Sequence, residues 1–266
     1  MSVQTLYTAA TGMEALETKL DVIANNMANI NTTAFKKDRA NFEDLFYRQY
    51  RLPGALDSDG NRTSTGIEVG LGTRVSSTQT NHEQGAFQVT NNPLDVAIEG
   101  NGFFKVTTGT GSYYTRSGNF GLNDQGQIVM GSATQGWVLD PTISIPQQAT
   151  AVVISTSGEV SYRTADQNQL TVAGQIQLST FINPDGLLKM GDNLYQQTDA
   201  SGQPTEGIPG TPGIGTVRQG SLEASNVEPV EELIDLITTQ RAFELNSQVV
   251  QAGDQIMQVA ANLRRY

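Results

Sequence analysis

The sequence contains no cysteine, one histidine and one tryptophan in 266 residues. Without cysteine there is no disulfide staple, no thiolate nucleophile and no Cys-ligated zinc. A lone histidine, His82, excludes the His-based triads with cysteine and the paired-histidine zinc motif, and no GxSxG occurs. Positive charge is scarce: 16 Lys and Arg stand against 27 Asp and Glu, for a net charge of −11. Nucleic acid and anionic membranes reward clustered cations, so neither is expected as the main partner. No apolar run approaches the ~18 residues of a membrane helix, so no direct membrane insertion is expected. The N-terminus, MSVQTLYTAATGMEALETKL, has neither the basic start nor the apolar stretch of a Sec signal. A chain of this kind working outside the cytoplasm needs an export route without a cleaved signal. The missing cysteine fits unfolding for export and refolding in an oxidising space.

Two polar-rich amphipathic ends bracket a Gly-, Thr- and Gln-rich middle. Apolar side chains recur at Val3, Leu6, Ala10 and Met13, then at Leu16, Leu20, Ile23, Met27 and Ile30, with spacings of three and four. The phase shifts beside Gly12. This pattern predicts one long helix over residues 3–30, with a kink permitted at the shift. Ala242, Leu245, Val249, Ala252, Ile256, Val259 and Leu263 repeat the same alternation. Glu228, Pro229, Glu231 and Glu232 suit a helix start, and Arg264 and Arg265 suit its end. A second helix is therefore expected over about 228–263, roughly 50 Å long. Such stripes can pack on their own domain. Their terminal placement favours pairing with each other and with neighbouring copies. Isolated helices of this size are marginal in water, so both ends are expected to order on assembly.

Between residues 95 and 198 short runs such as VAIEG, GFFKV, SYYTR, AVVIS, EVSYR and NLYQQ alternate with turn chemistry at Asn123–Gly126, Ser157-Gly158 and Asn183–Gly186. These predict an all-β module. The fold class is thus α+β: long N- and C-terminal helices forming a coiled-coil-like layer, with a central β module carried on extended arms. The expected divisions are 1–35, 36–94, 95–198, 199–226 and 227–266, with the second and fourth as arms.

Little chemistry is on offer. His82-Glu83 is expected as a surface pair, Trp137 as core, and Gly70/Gly72 and Gly100/Gly102 as turns. Asp57, Asp59, Asn61 and Glu68 match four positions of a calcium loop, but Arg62 stands where that loop needs glycine, so a solvated loop is the reading. Nothing singles out one carboxylate pair among the 27 acids. No catalytic, metal or cofactor-binding residue is expected.

The stretch Asp21-Val22-Ile23-Ala24-Asn25-Asn26-Met27-Ala28-Asn29-Ile30-Asn31-Thr32-Thr33-Ala34-Phe35-Lys36-Lys37 resembles the signature of the bacterial flagellar basal-body rod and hook family. A second match covers Gly220, Leu222, Glu223, Ser225-Asn226-Val227, Glu231-Glu232, Gln240-Arg241-Ala242-Phe243 and Asn246. A third covers Asn91–Phe104 and Tyr114–Phe120. The likeness therefore runs through nearly the whole chain. Residues 47–72 are similar to an extra stretch that marks the distal-rod type. Two departures stand out: Ala34 replaces a usual glycine, and Glu228-Pro229 replaces a small polar and aliphatic pair. The resemblance implies a structural subunit that polymerises helically into a hollow, rigid shaft passing torque across the periplasm to the hook. Implied partners are further copies, proximal rod proteins, the hook or hook-cap proteins, the periplasmic and outer-membrane rings, and the flagellar type III export apparatus. The asparagines at 25, 26, 29 and 31 are expected to bond backbone and neighbours where the first helix ends. Assembly is expected to rest on Leu6, Leu20, Ile23, Asn25, Asn26, Met27, Asn29 and Phe35, with Leu233, Ile237, Arg241, Leu245, Val249 and Ile256. A proximal rod or hook subunit is the nearest alternative; a secreted β-domain enzyme and a calcium-dependent adhesin are remote ones.

Overall fold

Four crossings of the backbone, at 28/29, 37/38, 80/81 and 227/228, divide the chain between two units whose segments interleave. This division comes from a computed structural model, which describes residues 3–54, 62, 64–108, 111–131, 136–165 and 169–263. Unit 1 comprises Met1–Ala28, Asp38–Thr80 and Glu228–Tyr266; unit 2 comprises Asn29–Lys37 and Asn81–Val227.

Unit 1 is built on two helices, α1 (Val3–Ala28) and α2 (Pro229–Leu263). Pro229 opens α2, where a missing N–H costs nothing, and Glu231 and Glu232 lie in the first turn against the positive end of the helix dipole. The helices run antiparallel: Asn26 meets Glu232, Gly12 faces Asn246, and Leu6 covers Gly253. Helix α1 passes Gly12 unbroken. A Cβ at Gly12 would stand 3.3 Å from the Asn246 side-chain nitrogen, so the glycine serves the approach of the helices rather than a kink.

Residues 38–51 and 67–80 form a two-stranded ribbon. Strands β1 (Asp38–Asp44) and β4 (Thr73–Thr80) pair antiparallel from Asp38↔Thr80 to Asp44↔Thr73 and pack on α1. Strands β2 (Tyr47–Arg51) and β3 (Ile67–Gly70) continue the ribbon beyond them. Much of the stretch expected as an extended arm is thus paired strand. The sequences DRANFED and TRVSSTQT carry no clean apolar alternation, which is why the pairing leaves a weak trace. Gly72, at φ +123, lets the ribbon close onto Thr11, where any side chain would collide.

Unit 2 holds β5 (Phe87–Val89), β6 (Val96–Glu99), β7 (Phe103–Thr108), β8 (Gly111–Thr115), β9 (Phe120–Leu122), β10 (Ile128–Met130) and β11 (Val138–Asp140). They are followed by β12 (Ala149–Ile154), β13 (Glu159–Thr164), β14 (Thr171–Gln175), β15 (Leu178–Thr180), β16 (Leu188–Gly191) and β17 (Leu194–Gln196). The return segment adds β18 (Thr205–Gly207), β19 (Thr216–Gln219) and β20 (Ser221–Glu223). The main sheet runs β16-β17-β8-β7-β11-β10-β9, with β15 joining β7 to β18. Strands β12-β13-β14 form a second sheet. Residues 199–226, expected as an arm, return strands to unit 2: β18 pairs β15, β19 pairs β6, and β20 pairs β5. Phe103 and Phe104, adjacent in β7, point to opposite faces and enter different apolar clusters. The larger cluster gathers Ile98, Phe104, Leu139, Val160, Ile176 and Val217; Trp137 packs with Val106, Met130 and Leu194, as core.

Candidate functional site

Helix α2 has two faces of opposite chemistry. The side turned to α1 repeats every seven residues as Glu232, Thr239, Asn246 and Gly253, all polar or small; Glu232, Thr239 and Gly253 are buried and Asn246 half-buried. Leu236, Phe243 and Val250 sit half-buried between them. At 100° per residue, Val230, Leu233, Ile234, Ile237, Leu245, Val249, Ile256 and Val259 fall on the far side and flank. These eight are between 38% and 71% exposed. An ordinary surface helix turns its apolar face inward. This one covers polar and small residues together with half-buried Leu236, Phe243 and Val250, and leaves a second aliphatic set bare.

Of the residues expected to carry assembly, Leu233, Ile237, Leu245 and Ile256 are exposed on α2, while Val249, 38% exposed, borders a groove lined by Gln4, Thr8 and Ala9 of α1. Arg241 is exposed and pairs with Glu244 at 2.9 Å. On α1, Leu6, Leu20 and Met27 are half-buried and Asn25 is exposed, whereas Ile23 and Asn26 are covered by their own chain. Phe35 and Asn29 are half-buried in unit 2.

Asn26 earns its burial through geometry. Its amide nitrogen donates to the Asp38 carbonyl (2.8 Å) and to Glu232 Oε2 (3.3 Å), while its oxygen accepts from the Asp38 N–H (2.9 Å). Asp38 Oδ1 in turn accepts from Thr80 Oγ1 at 2.7 Å. One asparagine thus joins the end of α1, the start of the ribbon and the start of α2. In unit 2, Asn226 plays the matching part: its oxygen accepts from the Lys37 N–H, and its amide nitrogen donates to the carbonyls of Asn81 and Glu83. Asn29 Oδ1 accepts from Thr32 Oγ1 in the turn after α1.

Unit 2 also encloses an ionic cluster. Lys36 Nζ donates to Glu223 Oε1 at 2.6 Å and to the Glu83 carbonyl at 2.5 Å; Arg116 Nε donates to Glu223 Oε2 at 2.8 Å. Arg116 further donates to the carbonyls of Gly102 (3.1 Å) and Gly100 (2.6 Å), and the Gly85 N–H donates to Glu223 Oε1. All three side chains are at most 5% exposed. Burial pushes the Lys36 ammonium below its usual pKa, with Glu223 pulling the other way and Arg116 adding to the drop. Burial also pushes Glu223 upward, but the fields of Arg116 and Lys36 outweigh it and hold the carboxyl below its usual range. Removing Glu223 would strand two buried cations, at a cost of about 3–5 kcal/mol, whereas removing either cation leaves the carboxylate paired with the other.

His82 is not the surface residue expected. Its side chain is 13% exposed, with its ring against Phe103 (5.8 Å) and Tyr195 (5.9 Å). Burial pushes its pKa down to about 4 against the opposing pull of Asp185; Lys36, Lys189 and Arg116 deepen the drop. An adjoining aromatic core supplies the cover that a lone polar dipeptide cannot announce. The ionic cluster was equally silent in the sequence, although Arg116 directly follows an aromatic strand and Lys36 directly follows Phe35, both odd places for a solvated cation.

Of the calcium-loop pattern, Asp57, Asp59 and Asn61 lie outside the described residues, as do Arg264 and Arg265. Glu68 is on exposed β3, near Gln49. Among the described residues no group of three acidic, His or Cys side chains is placed to hold a metal, and no helix is long and apolar enough to cross a membrane.

Three family models match: "Flagella basal body rod protein" over residues 6–36, "Flagellar hook protein FlgE/F/G D1 domain" over 97–162, and "Flagellar basal body rod FlgEFG protein C-terminal" over 218–263. The chain is 46% identical to the flagellar basal-body rod protein FlgG of Caulobacter vibrioides, over 98% of this chain and 99% of the relative. It is 43% identical to that of Borreliella burgdorferi, over 98% of each chain. With the Bacillus subtilis protein of the same name the identity is 38%, over 98% of this chain and 99% of the relative.

Proposed function

Because the chain belongs to the FlgG family of flagellar basal-body rod proteins, and is a structural subunit of the distal rod, we propose that copies join helically through the bare face of α2. The product is a stiff hollow shaft that carries torque across the periplasm to the hook. The observation that carries this reading is the second aliphatic face of α2, which is uncovered while a mixed face of polar, small and half-buried apolar residues is used within the chain. Eight half-exposed aliphatic side chains are each worth on the order of 1 kcal/mol once removed from water, enough to drive association when repeated along a polymer. Residues 1–35 and 227–266 act as the polymerising part, with Leu6, Leu20, Met27 and Asn25 beside the α2 ridge. Ile23 and Asn26 serve assembly indirectly, by holding α1 against α2. The exposed β2–β3 tier, bearing Phe46, Tyr47, Tyr50, Leu52 and Ile67 in the open, braces successive copies. A two-stranded ribbon is marginal alone and gains most from a neighbour. Proximal rod proteins, hook or hook-cap proteins and ring proteins meet the ends and outside of the shaft. Subunits reach it through the flagellar type III apparatus.

Charged substitutions test this. Leu245→Asp or Ile256→Asp is expected to abolish polymerisation in sedimentation assays while shifting the monomer's melting by no more than about 0.5 kcal/mol, as for an exposed site. Ile23→Asp should instead unfold unit 1. Normal polymers from both α2 variants would overturn the proposed interface.

A further inference from the structure

Unit 2 contains a cleft of about 320 Å³ that no part of the proposed shaft yet uses. Arg116 and His82 line it, with Asn101, Thr180, Phe181 and Ile182; no carboxylate is among the lining residues. Arg116 uses three of its N–H groups, on Glu223, Gly100 and Gly102, which leaves about two of the five that a guanidinium carries. Beneath it Glu223 is shared with Lys36, so the buried set holds two cations against one anion. Glu83 and Asp185, the acids nearest this set, are more exposed: Glu83 is bonded to Asn81, and Asp185 stands 4.0 Å from His82 Nε2. His82 Nδ1 is buried and without a partner.

The rim adds an apolar feature. Ile182 is 91% exposed, yet its neighbour Phe181 is fixed edge-on against Tyr114 (4.8 Å) and Phe103 (5.9 Å). An isoleucine displayed from an anchored position beside a cation-lined cleft fits a carboxylate borne on a protein surface better than a free small anion. A second copy offers that chemistry in abundance, with 27 acids against 16 bases. We propose that the cleft is a second self-association site, which takes a surface Asp or Glu of a neighbouring copy onto Arg116 while Ile182 is covered beside it. This rests on the helical polymer proposed above and adds to it a contact made by unit 2.

The test uses the full chain. Ile182→Asp removes the apolar lip and offers the cleft its own carboxylate. It is expected to raise the critical concentration for polymerisation at least tenfold with unchanged thermal melting. His82 is the sole histidine, so its imidazole proton signal is a direct probe of the cleft. In the soluble Leu245→Asp chain, sodium acetate or glutarate should shift that signal saturably, and acetamide should not. Polymerisation of Ile182→Asp at the wild-type concentration overturns the proposal, even if acetate binds, because the cleft would then take carboxylates other than those of a copy. An unresponsive His82 signal overturns it as well. If Leu245→Asp itself polymerises, it is the α2 interface that fails; if only Ile182→Asp polymerises, it is the cleft.

Discussion

Ala34 holds a left-handed backbone, φ +57, and is 3% exposed, with its N–H donating to the Glu223 carbonyl at 2.8 Å. The turn that a glycine would form freely is therefore made here against the Cβ penalty, roughly 1–2 kcal/mol. Ala34→Gly is expected to stabilise unit 2 by about 0.5–1 kcal/mol, the relief of strain exceeding the added flexibility of the unfolded chain. A higher urea midpoint would bear this out, whereas a lower one would mean that the buried methyl contributes more than the strain. His82 makes a second residue-scale prediction. Its folded pKa of about 4 lies below the ordinary 6.5. Between those values the unfolded chain takes a proton that the folded chain refuses, so stability falls as pH drops through the window, by at most about 1.4 kcal/mol per unit. Glu223, held below the usual carboxylate range, contributes stability above that range that is lost at still lower pH. His82→Phe keeps the ring packing and should flatten unfolding free energy against pH between 6.5 and 4, leaving the steeper loss below.

At the scale of elements, α2 shows what periodicity can and cannot convey. Its start was legible because Pro229 and the acids after it obey end-of-helix electrostatics, and its aliphatic stripe was legible because it repeats by threes and fours. Which stripe the chain covers was not. Glu232, Thr239, Asn246 and Gly253 repeat just as regularly, but hydrophobicity gives them no weight, and only the partner helix shows that small and polar residues allow close approach. The β1–β4 ribbon was missed for a related reason: a strand supported by a helix on one side, with Thr, Ser, Asn and Gln along it, lacks the alternation by which strands are recognised. The β runs of unit 2 were legible because they supply side chains to the apolar clusters and turn residues separate them. Thr239 offers a test of the covered face, since its hydroxyl is buried without a partner. Thr239→Val replaces that hydroxyl with a methyl of similar size and should stabilise the helix pair by about 1 kcal/mol, read from the helical circular dichroism signal on melting.

At the scale of the whole molecule, the two units differ in what holds them. Unit 2 has three buried apolar clusters and a buried ionic cluster; unit 1 has a mixed polar and apolar helix seam, a ribbon and a bare aliphatic face. Limited proteolysis of the monomer is therefore expected to cut within 1–28 and 228–266, including at exposed Arg241, before it cuts 81–227. Simultaneous loss of both units would mean that unit 1 is as firmly closed as unit 2. The path of the chain adds a consequence in time. Asn26 and its partner Glu232 are separated by 206 positions, so a chain delivered amino end first exposes α1 long before α2 emerges. All of unit 2 can form in that interval, since its last strand ends at Glu223. The helix pair closes only when α2 arrives, so in the proposed polymer a subunit cut before Pro229 would have the strands of unit 2 complete and lack the α2 face through which copies join. On the proposed interface, the order of segments along the chain would keep a subunit from associating before α2 is in place.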